Sequence, residues 1–534
     1  MLSCAINSVY KFLKGDMILS EHLAELTAAL QDLPELYQPV FGHETQNISP
    51  KRICLNRLTE FKKVYDSLSK ELKRPLRVLD LGCNMGFFSL HAAKWGGTVT
   101  GIDVDMRNIR LCKLLAHEHP DYKIKFLHAK IEDFIPHVRN EEYDLVLCFS
   151  VLHWLTLPFG FTFVQKLLED LAKKVHTGLF EFALKSEFPK NNLPTDYRKF
   201  LKGYPFIRVC SYGERHAGFK RPFCFAGNKY VHFDELGVIK IDSFGISKEG
   251  DTHFFLCGDK FVKVFYIKHK FLFDMAQREI LFLNEFGGQN GLPKLHAAWA
   301  EDDETGLRFF LVRDLTAGTP LEEKIRKKEP FDRRNVIEQA LKWMVFFEEK
   351  GYYFGDCLPK NWIYTDDGRL LPIDYEDMTR DNSFRGWPYD VKLLFVMFMN
   401  SVLEFLPEER IFYWKAQRLL SNLKKHVTPK QYEQIATIRD SEKFFSRLYE
   451  ILFQTNESDT SETACDMQSR EIMAIERFLD DISYRVLQNY ISCANLKRDV
   501  NQIHGSLNKL FGILAEKQKQ IERLEKMIQE SSNN

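Results

Sequence analysis

The sequence predicts a two-domain α/β protein with a long helical tail, and three observations carry that prediction. Between residues 18 and 215, short apolar runs alternate with amphipathic stretches, as parallel strands joined by crossover helices do. Between 220 and 453 the pattern opens with two adjacent strand-like runs, THFFLCG and KFVKVFYIK, and then turns mostly helical. Between 470 and 530 apolar residues recur in steps of four and three, the repeat of a coiled coil.

In the first segment RVLDLG (Arg77 to Gly82), TVTGID (Thr98 to Asp103), YDLVLCFS (Tyr143 to Ser150) and GLFEFAL (Gly178 to Leu184) are strand candidates, being apolar with β-branched or aromatic content. Amphipathic stretches such as MRNIRLCKLLAHEH lie between them, which predicts a parallel sheet covered by helices on both faces. After the second segment, residues 454–469 contain QTNESDTSETACD, a composition that reads as a linker. The coiled-coil positions run from Ile475 through Leu479, Ile482 and Val486 to Leu524 and Ile528. At 1.5 Å per residue that helix would extend about 80 Å. Asn489 and Lys517 at core positions set register at a cost in stability.

Composition excludes several classes. Lys plus Arg total 74 and so do Asp plus Glu, so no global field favours nucleic acid. The eleven cysteines are scattered without a CxxC pair, which suits reduced thiols in a cytosolic protein better than a disulfide framework or a zinc site. No apolar run approaches the roughly 18 to 20 residues of a membrane span. Residues before Met17 are read as an upstream extension rather than a signal peptide, because Asn7 and Lys11 interrupt their apolar run.

The first candidate site begins where a strand ends in Asp80. Leu-Gly-Cys-Asn-Met-Gly follows, ending at Gly86 and leading into a helix. Glycines at such a turn, here Gly82 and Gly86, let backbone approach a ligand closely. Asp103 ends the next strand, where a carboxylate can accept both hydroxyls of a ribose. The run D-L-G-C-x-x-G resembles motif I of class I S-adenosylmethionine-dependent methyltransferases more than a dinucleotide fingerprint. HAKIED (His128 to Asp133) then falls where those enzymes hold adenine, which points to Lys130 and Ile131. FSVLHW (Phe149 to Trp154) falls beside the transferred methyl group, which points to Ser150 and His153; a structural ring at a strand end is the other reading of His153. No strong base is fixed by spacing. A phosphate acceptor would need none, being ionised at neutral pH.

The second candidate site rests on five elements in order. Asp356 and Asn361 in GDCLPKN have the D-x-x-x-x-N spacing of a kinase catalytic loop, and Asp374 follows in LPIDYED. Lys263 in FVKVFY takes the strand position of a phosphate-binding lysine, Glu279 in QREILFL is its helical partner, and Asp314 lies in VRDL, which reads as the adenine hinge. Phosphoryl transfer needs such parts: a group on the hydroxyl, metal ligands (Asn361 and Asp374), and a cation on the phosphates. Departures are Phe354 for the usual His, Leu358 for the usual Lys or Arg, and Asp-Tyr-Glu for Asp-Phe-Gly. Lys360 is the candidate substitute for the missing cation.

Taken together the chain resembles the WbdD family of bifunctional kinase–methyltransferases that terminate bacterial polymannose O-antigen chains. LPELYQPVFGH, CLNRL and WPYDVKLLFVMF add to that likeness. The resemblance implies an α/β class I (Rossmann-like) methyltransferase domain over 18–215, a bilobal α+β protein-kinase-like domain over 220–453, and a C-terminal α-helical coiled coil. It implies Tyr37, Gln38 and Arg57 as further contacts to the methyl donor. It also implies S-adenosylmethionine, ATP and Mg2+ as cofactors and a lipid-linked mannose polysaccharide as substrate. A homotrimer through the coiled coil, a mannosyltransferase polymerase partner, and a cytoplasmic place at the inner membrane of a Gram-negative bacterium follow from it too. The rivals are a sugar O-methyltransferase with a degenerate kinase domain, a scaffold, and a protein kinase.

Overall fold

The computed structural model describes residues 17–43, 50–52, 54–188, 193–214, 220–303, 306–380, 391–405, 422–438, 441 and 443–454. The linker beyond Gln454 and the coiled coil of 470–530 lie outside these. The chain divides into two compact units, one of residues 1–273 and 294–315, the other of 274–293 and 316–534.

The first unit is built on a seven-stranded sheet of order β3-β2-β1-β4-β5-β7-β6. Its strands are β1 (Arg77–Leu81), β2 (Thr98–Asp103), β3 (Ile124–His128), β4 (Leu145–Phe149), β5 (Thr177–Glu181), β6 (Phe206–Glu214) and β7 (Lys220–Gly227). β3, β2, β1, β4 and β5 are parallel, whereas β7 runs antiparallel between β5 and β6. The four apolar runs of the sequence are β1, β2, β4 and β5. β3 escaped that reading because only Phe126 among its five residues is buried, so it lacks the continuous apolar signal of its neighbours. The helix Met106–His117 fills the amphipathic stretch, and the side chain of its cap Asp105 accepts from Arg107 N, leaving fewer orphan N–H groups at its start.

A second, antiparallel sheet of order β10-β11-β12-β14-β13 belongs to the same unit. It comprises β10 (Ser243–Ile246), β11 (Thr252–Cys257), β12 (Lys260–Tyr266), β13 (Leu295–Asp303) and β14 (Gly306–Asp314), with β8 (Tyr230–Phe233) and β9 (Gly237–Lys240) as a preceding hairpin. A single apolar cluster joins the two sheets: Phe206 of β6 lies 5.5 Å from Phe255 and 6.3 Å from Phe310, centroid to centroid. Polar groups cross the same seam. Arg308 Nη1 donates to the Ile207 carbonyl at 2.9 Å, and Arg308 Nη2 meets Glu301, which also accepts from Val209 N at 3.2 Å. The sequence division at 215–220 therefore does not coincide with a compact unit. It falls between β6 and β7, paired strands of one sheet, and the core continues through it.

The second unit is mostly helical. The helix Lys270–Phe286 enters it at Asp274, and Arg333–Glu349 and Val391–Glu404 follow. Its strands are short: β15 (Thr319–Pro320) and β18 (Leu370–Pro372) flank β17 (Trp362–Tyr364), and β16 (Tyr353–Phe354) pairs β19 (Met378–Thr379). Among the described residues no helix is long and apolar enough to cross a membrane.

Candidate functional site

The C-terminal ends of β1, β2, β3 and β4 converge on a cavity of about 640 Å3, where ligands of open α/β sheets sit. After β1 the chain turns through Gly82 at φ 73°, a conformation that suits glycine. A Cβ there would lie 2.6 Å from Val151 Cγ2, so the turn has room for backbone alone. Gly86 begins the following helix at φ 77°, and a Cβ there would lie 2.9 Å from Cys112 Sγ. Asp103 accepts from Asn84 N and Asp105 N, both at 2.8 Å. Its carboxylate thereby ties the glycine turn to the end of β2.

Of the residues expected to meet the methyl donor, Tyr37, Gln38, Arg57, Gly82, Asp103, Lys130, Ile131, Ser150 and His153 line this cavity. Asp80 and Gly86 do not. Asp80 is buried in β1 and accepts from Ser89 Oγ at 2.6 Å. Burial, opposed by that bond and reinforced by Asp103, leaves its carboxyl pushed up to about 7. Gln38 Oε1 accepts from Phe87 N at 3.3 Å, which anchors the N-terminal segment over the turn. His153 stacks on Phe188 at 4.7 Å and tilts against Trp154 at 5.1 Å.

Sequence reasoning missed the ion cluster behind that wall. Glu181, the last residue of β5, is fully buried. It accepts from Arg52 Nη2 at 2.8 Å and Arg57 Nη1 at 3.1 Å, and Ser150 Oγ donates to the same carboxylate. Burial alone would push the Glu181 carboxyl up, but Arg57, Arg52, Ser150 and Arg221 outweigh it and hold it below its ordinary value. The signal that could have found it is a lone acid inside the apolar run GLFEFAL, because a buried charge requires partners.

The kinase-type residues are placed as follows. Lys263 is buried in the middle of β12. Asp314 ends β14, with its carboxylate 2.6 Å from His296 Nε2, 3.0 Å from Lys260 Nζ and 3.1 Å from Lys294 N. Burial opposes ionisation there, yet those partners hold the carboxyl down to about 2. Its side chain is therefore a structural link, which leaves backbone for any adenine contact.

In the second unit Asp356 is buried beside Asn361, whose Nδ2 donates to the Asp356 carbonyl at 2.8 Å. That bond leaves the Asn361 amide oxygen as the free acceptor end. Lys360 Nζ lies 2.9 Å from Asp356 Oδ2, whereas Leu358 is buried. Asp374 stands at φ 72°, unusual for a non-glycine residue. Carboxylate oxygens of Glu279, Asp374 and Glu376 lie within 4.8 Å of one another. Tyr375 replaces the usual Phe without loss of packing: its ring stacks on Phe282 at 5.1 Å and its hydroxyl donates to the Pro372 carbonyl at 2.5 Å. Phe354, in the usual His position, is buried against Phe347 and Trp362. Trp362 is itself a core residue, with Nε1 donating to the Cys357 carbonyl at 2.9 Å.

A sheet in which one antiparallel strand is inserted next to the edge, with a glycine turn after β1, defines the class I methyltransferase fold. Residues 78–173 match the family model described as "Methyltransferase domain", and the strand-end cavity is the place for S-adenosylmethionine in that fold. The chain is moreover a homologue of WbdD. It is 29% identical over 398 residues to the Escherichia coli protein named "O-antigen chain terminator bifunctional methyltransferase/kinase WbdD", covering 71% of this chain and 56% of that protein. The chain thus spans little more than half the length of its curated relative. A crystal structure of WbdD superposes with a TM-score of 0.62 at 25% identity, covering 84% of this chain and 99% of the other. A second, with its C-terminal bundle ordered, reaches 0.66 over 90% of this chain and 99% of the other at 24% identity, a likeness of fold.

Proposed function

We propose that this chain caps a lipid-linked polymannose glycan in two steps. The kinase-like part phosphorylates the non-reducing terminal mannose with ATP, and the methyltransferase part then methylates that phosphate, stopping elongation and setting chain length. The observation that carries the reading is the presence of both sets of groups in one chain whose homologue is named an O-antigen chain terminator.

In the first step Asp356 orients the sugar hydroxyl and accepts its proton, with Lys360 beside it supplying the charge that Leu358 does not. Lys263 binds the phosphates of ATP. Asp374 and Glu376, whose carboxylate oxygens cluster with that of Glu279, form a hard oxygen donor set that fits Mg2+, since like charges so close favour a cation between them, and Asn361 is proposed as a further oxygen ligand. When bound, that ion neutralises charge on the transferred phosphoryl group. In the second step the acceptor is already an anion, so the site has to position it against the methyl group and exclude water, and a base is unnecessary. Trimerisation through residues 470–530, contact with a mannosyltransferase polymerase, and a peripheral place at the cytoplasmic face of the inner membrane belong to the same proposal.

The test supplies a short mannose-terminated acceptor with Mg2+, ATP and S-adenosylmethionine, omitting each donor in turn, and weighs the products. Phosphate gain with ATP alone and methyl gain only with both donors is the expected outcome. Methyl gain without ATP would replace this reading with a sugar hydroxyl methyltransferase.

A further inference from the structure

One side of the methyl-donor cavity's mouth is apolar and faces water. Trp154 and Leu157, on the helix Leu152–Phe159, are 64% and 61% exposed, and Phe159 and Phe163 are each 42% exposed. Trp154 and Leu157 stand three residues apart and so share a face of that helix. The helix stops at Gly160, whose φ of 76° turns the chain into the helix Phe161–Lys174. Across that turn Phe159 stacks on Phe163, 4.9 Å between centroids. Among the described residues Trp154 is the one tryptophan classed as exposed. A row of large apolar side chains left in water marks a contact surface.

Three observations select what lies on it. The first is continuity: Trp154 and Phe159 line the donor cavity. Phe159 also lines a second cavity of about 290 Å3 with Phe161, Thr162, Leu193 and Pro194, near the lower end of ligand cavities at about 300 Å3. The strip thus leads from one cavity to the other. The second is place. The residues expected to hold adenine and ribose, Lys130 and Asp103, stand at the ends of β3 and β2, whereas Trp154 follows β4, beyond β1 in the sheet order. The third is charge. From Leu145 to Gln165 there is no Asp, Glu, Lys or Arg, so the strip lacks the basic residues that anionic lipid head groups attract. A membrane seated on it would also close the mouth of the cavity. A sugar ring suits it better, since its C–H faces pack on the negative faces of aromatic rings.

We propose that Trp154 and Phe159 form a platform for the sugar rings of the methyl acceptor. The terminal ring, which carries the acceptor oxygen into the cavity, lies on Trp154. The next ring runs over Phe159 toward the second cavity, where Thr162 brings a hydroxyl. The proposal rests on the two-step reading and adds how the glycan is held for the second step. It makes methyl transfer sensitive to at least two sugars and not to the terminal phosphate alone.

The experiment uses the full chain with S-adenosylmethionine and two acceptors that bypass the kinase step: mannose phosphate, and a mannose trisaccharide phosphorylated on its non-reducing terminal sugar. In the wild type the trisaccharide should have the lower KM. Trp154→Ala should raise KM for both acceptors about tenfold, the loss of one stacked ring, with little change in kcat. Trp154→Phe should recover most of that. Phe159→Ala should raise KM for the trisaccharide alone, toward the value for mannose phosphate. S-adenosylhomocysteine binding, measured by calorimetry, should stay at the wild-type level in all three variants, which controls for folding and for the donor site. Unchanged acceptor KM in variants that bind S-adenosylhomocysteine overturns the platform. If those variants also lose sedimentation with phosphatidylethanolamine–phosphatidylglycerol vesicles, the strip belongs to a membrane instead. Weakened S-adenosylhomocysteine binding in Trp154→Ala would give that ring to the donor and overturns the platform as well. These outcomes leave the two-step reading standing. Methylation of the unphosphorylated trisaccharide but not of the phosphorylated one removes the two-step reading, and the same KM comparison on that acceptor then decides the platform.

Discussion

At the methyl-donor site the functional groups stand at the ends of parallel strands whose ladders and apolar core hold them, whereas Asp356, Asn361 and Asp374 of the kinase-type set stand in loops beside strands of two or three residues. The first arrangement makes position a property of the sheet, so side chains far apart in sequence can meet: Arg52 and Glu181 are 129 residues apart. The second makes position a property of the local chain, so Asp356, Lys360 and Asn361 meet within one turn and a half. Substitutions should accordingly act through packing at the first site and through chemistry at the second.

Substitutions at five positions probe that contrast, from the largest expected effect to the smallest. Asp374→Asn should lower phosphate transfer by about a thousandfold or more. Asn tolerates the left-handed backbone, so methyl transfer to a phosphorylated acceptor should persist; loss of both activities would show that the two sites are not separable in this way. Glu181→Ala leaves Arg52 and Arg57 buried without their counter-charge and should cost about 3–5 kcal/mol, read as a lower urea midpoint together with loss of methyl transfer. The Glu181 carboxyl is held below its ordinary value, so its contribution is complete above the unfolded pKa of about 4.3 and is lost as pH falls through the lower folded value. Glu181→Gln should therefore flatten stability on the acid side, and an unaltered acid profile would contradict the depressed pKa.

Gly82→Ala places a Cβ in contact with Val151 at a positive φ. It should cost about 1–3 kcal/mol and weaken S-adenosylhomocysteine binding in calorimetry while phosphate transfer is retained. Lys360→Ala should slow phosphate transfer about tenfold, in line with loss of one charge-assisted contact. Leu358→Lys added to Lys360→Ala should restore part of it. No recovery would mean that the position of the charge, and not its presence, is what the site requires.

Much of both sites was legible because the features that encode them are short-range. A glycine turn between a strand and a helix, five residues between Asp356 and Asn361, and an amphipathic period over Met106–His117 each depend on a few neighbouring dihedrals. β3 was not legible, because a half-exposed strand carries little apolar signal. Nor was the continuity of the core across β6 and β7, because a change in pattern along the chain looks like a boundary whether or not packing stops there.

The sequence by itself determined the local geometry: which turns take glycine, where the catalytic-loop spacing falls, and which segments become helix or strand. Tertiary structure alone decided that Arg52, Arg57, Ser150 and Arg221 meet around Glu181, and that the sheet bearing Lys263 shares a core with the methyltransferase sheet. The reason is physical. Dihedral preferences act over a few residues, whereas the compensation of a buried charge and the filling of a shared core depend on which strands the topology makes neighbours.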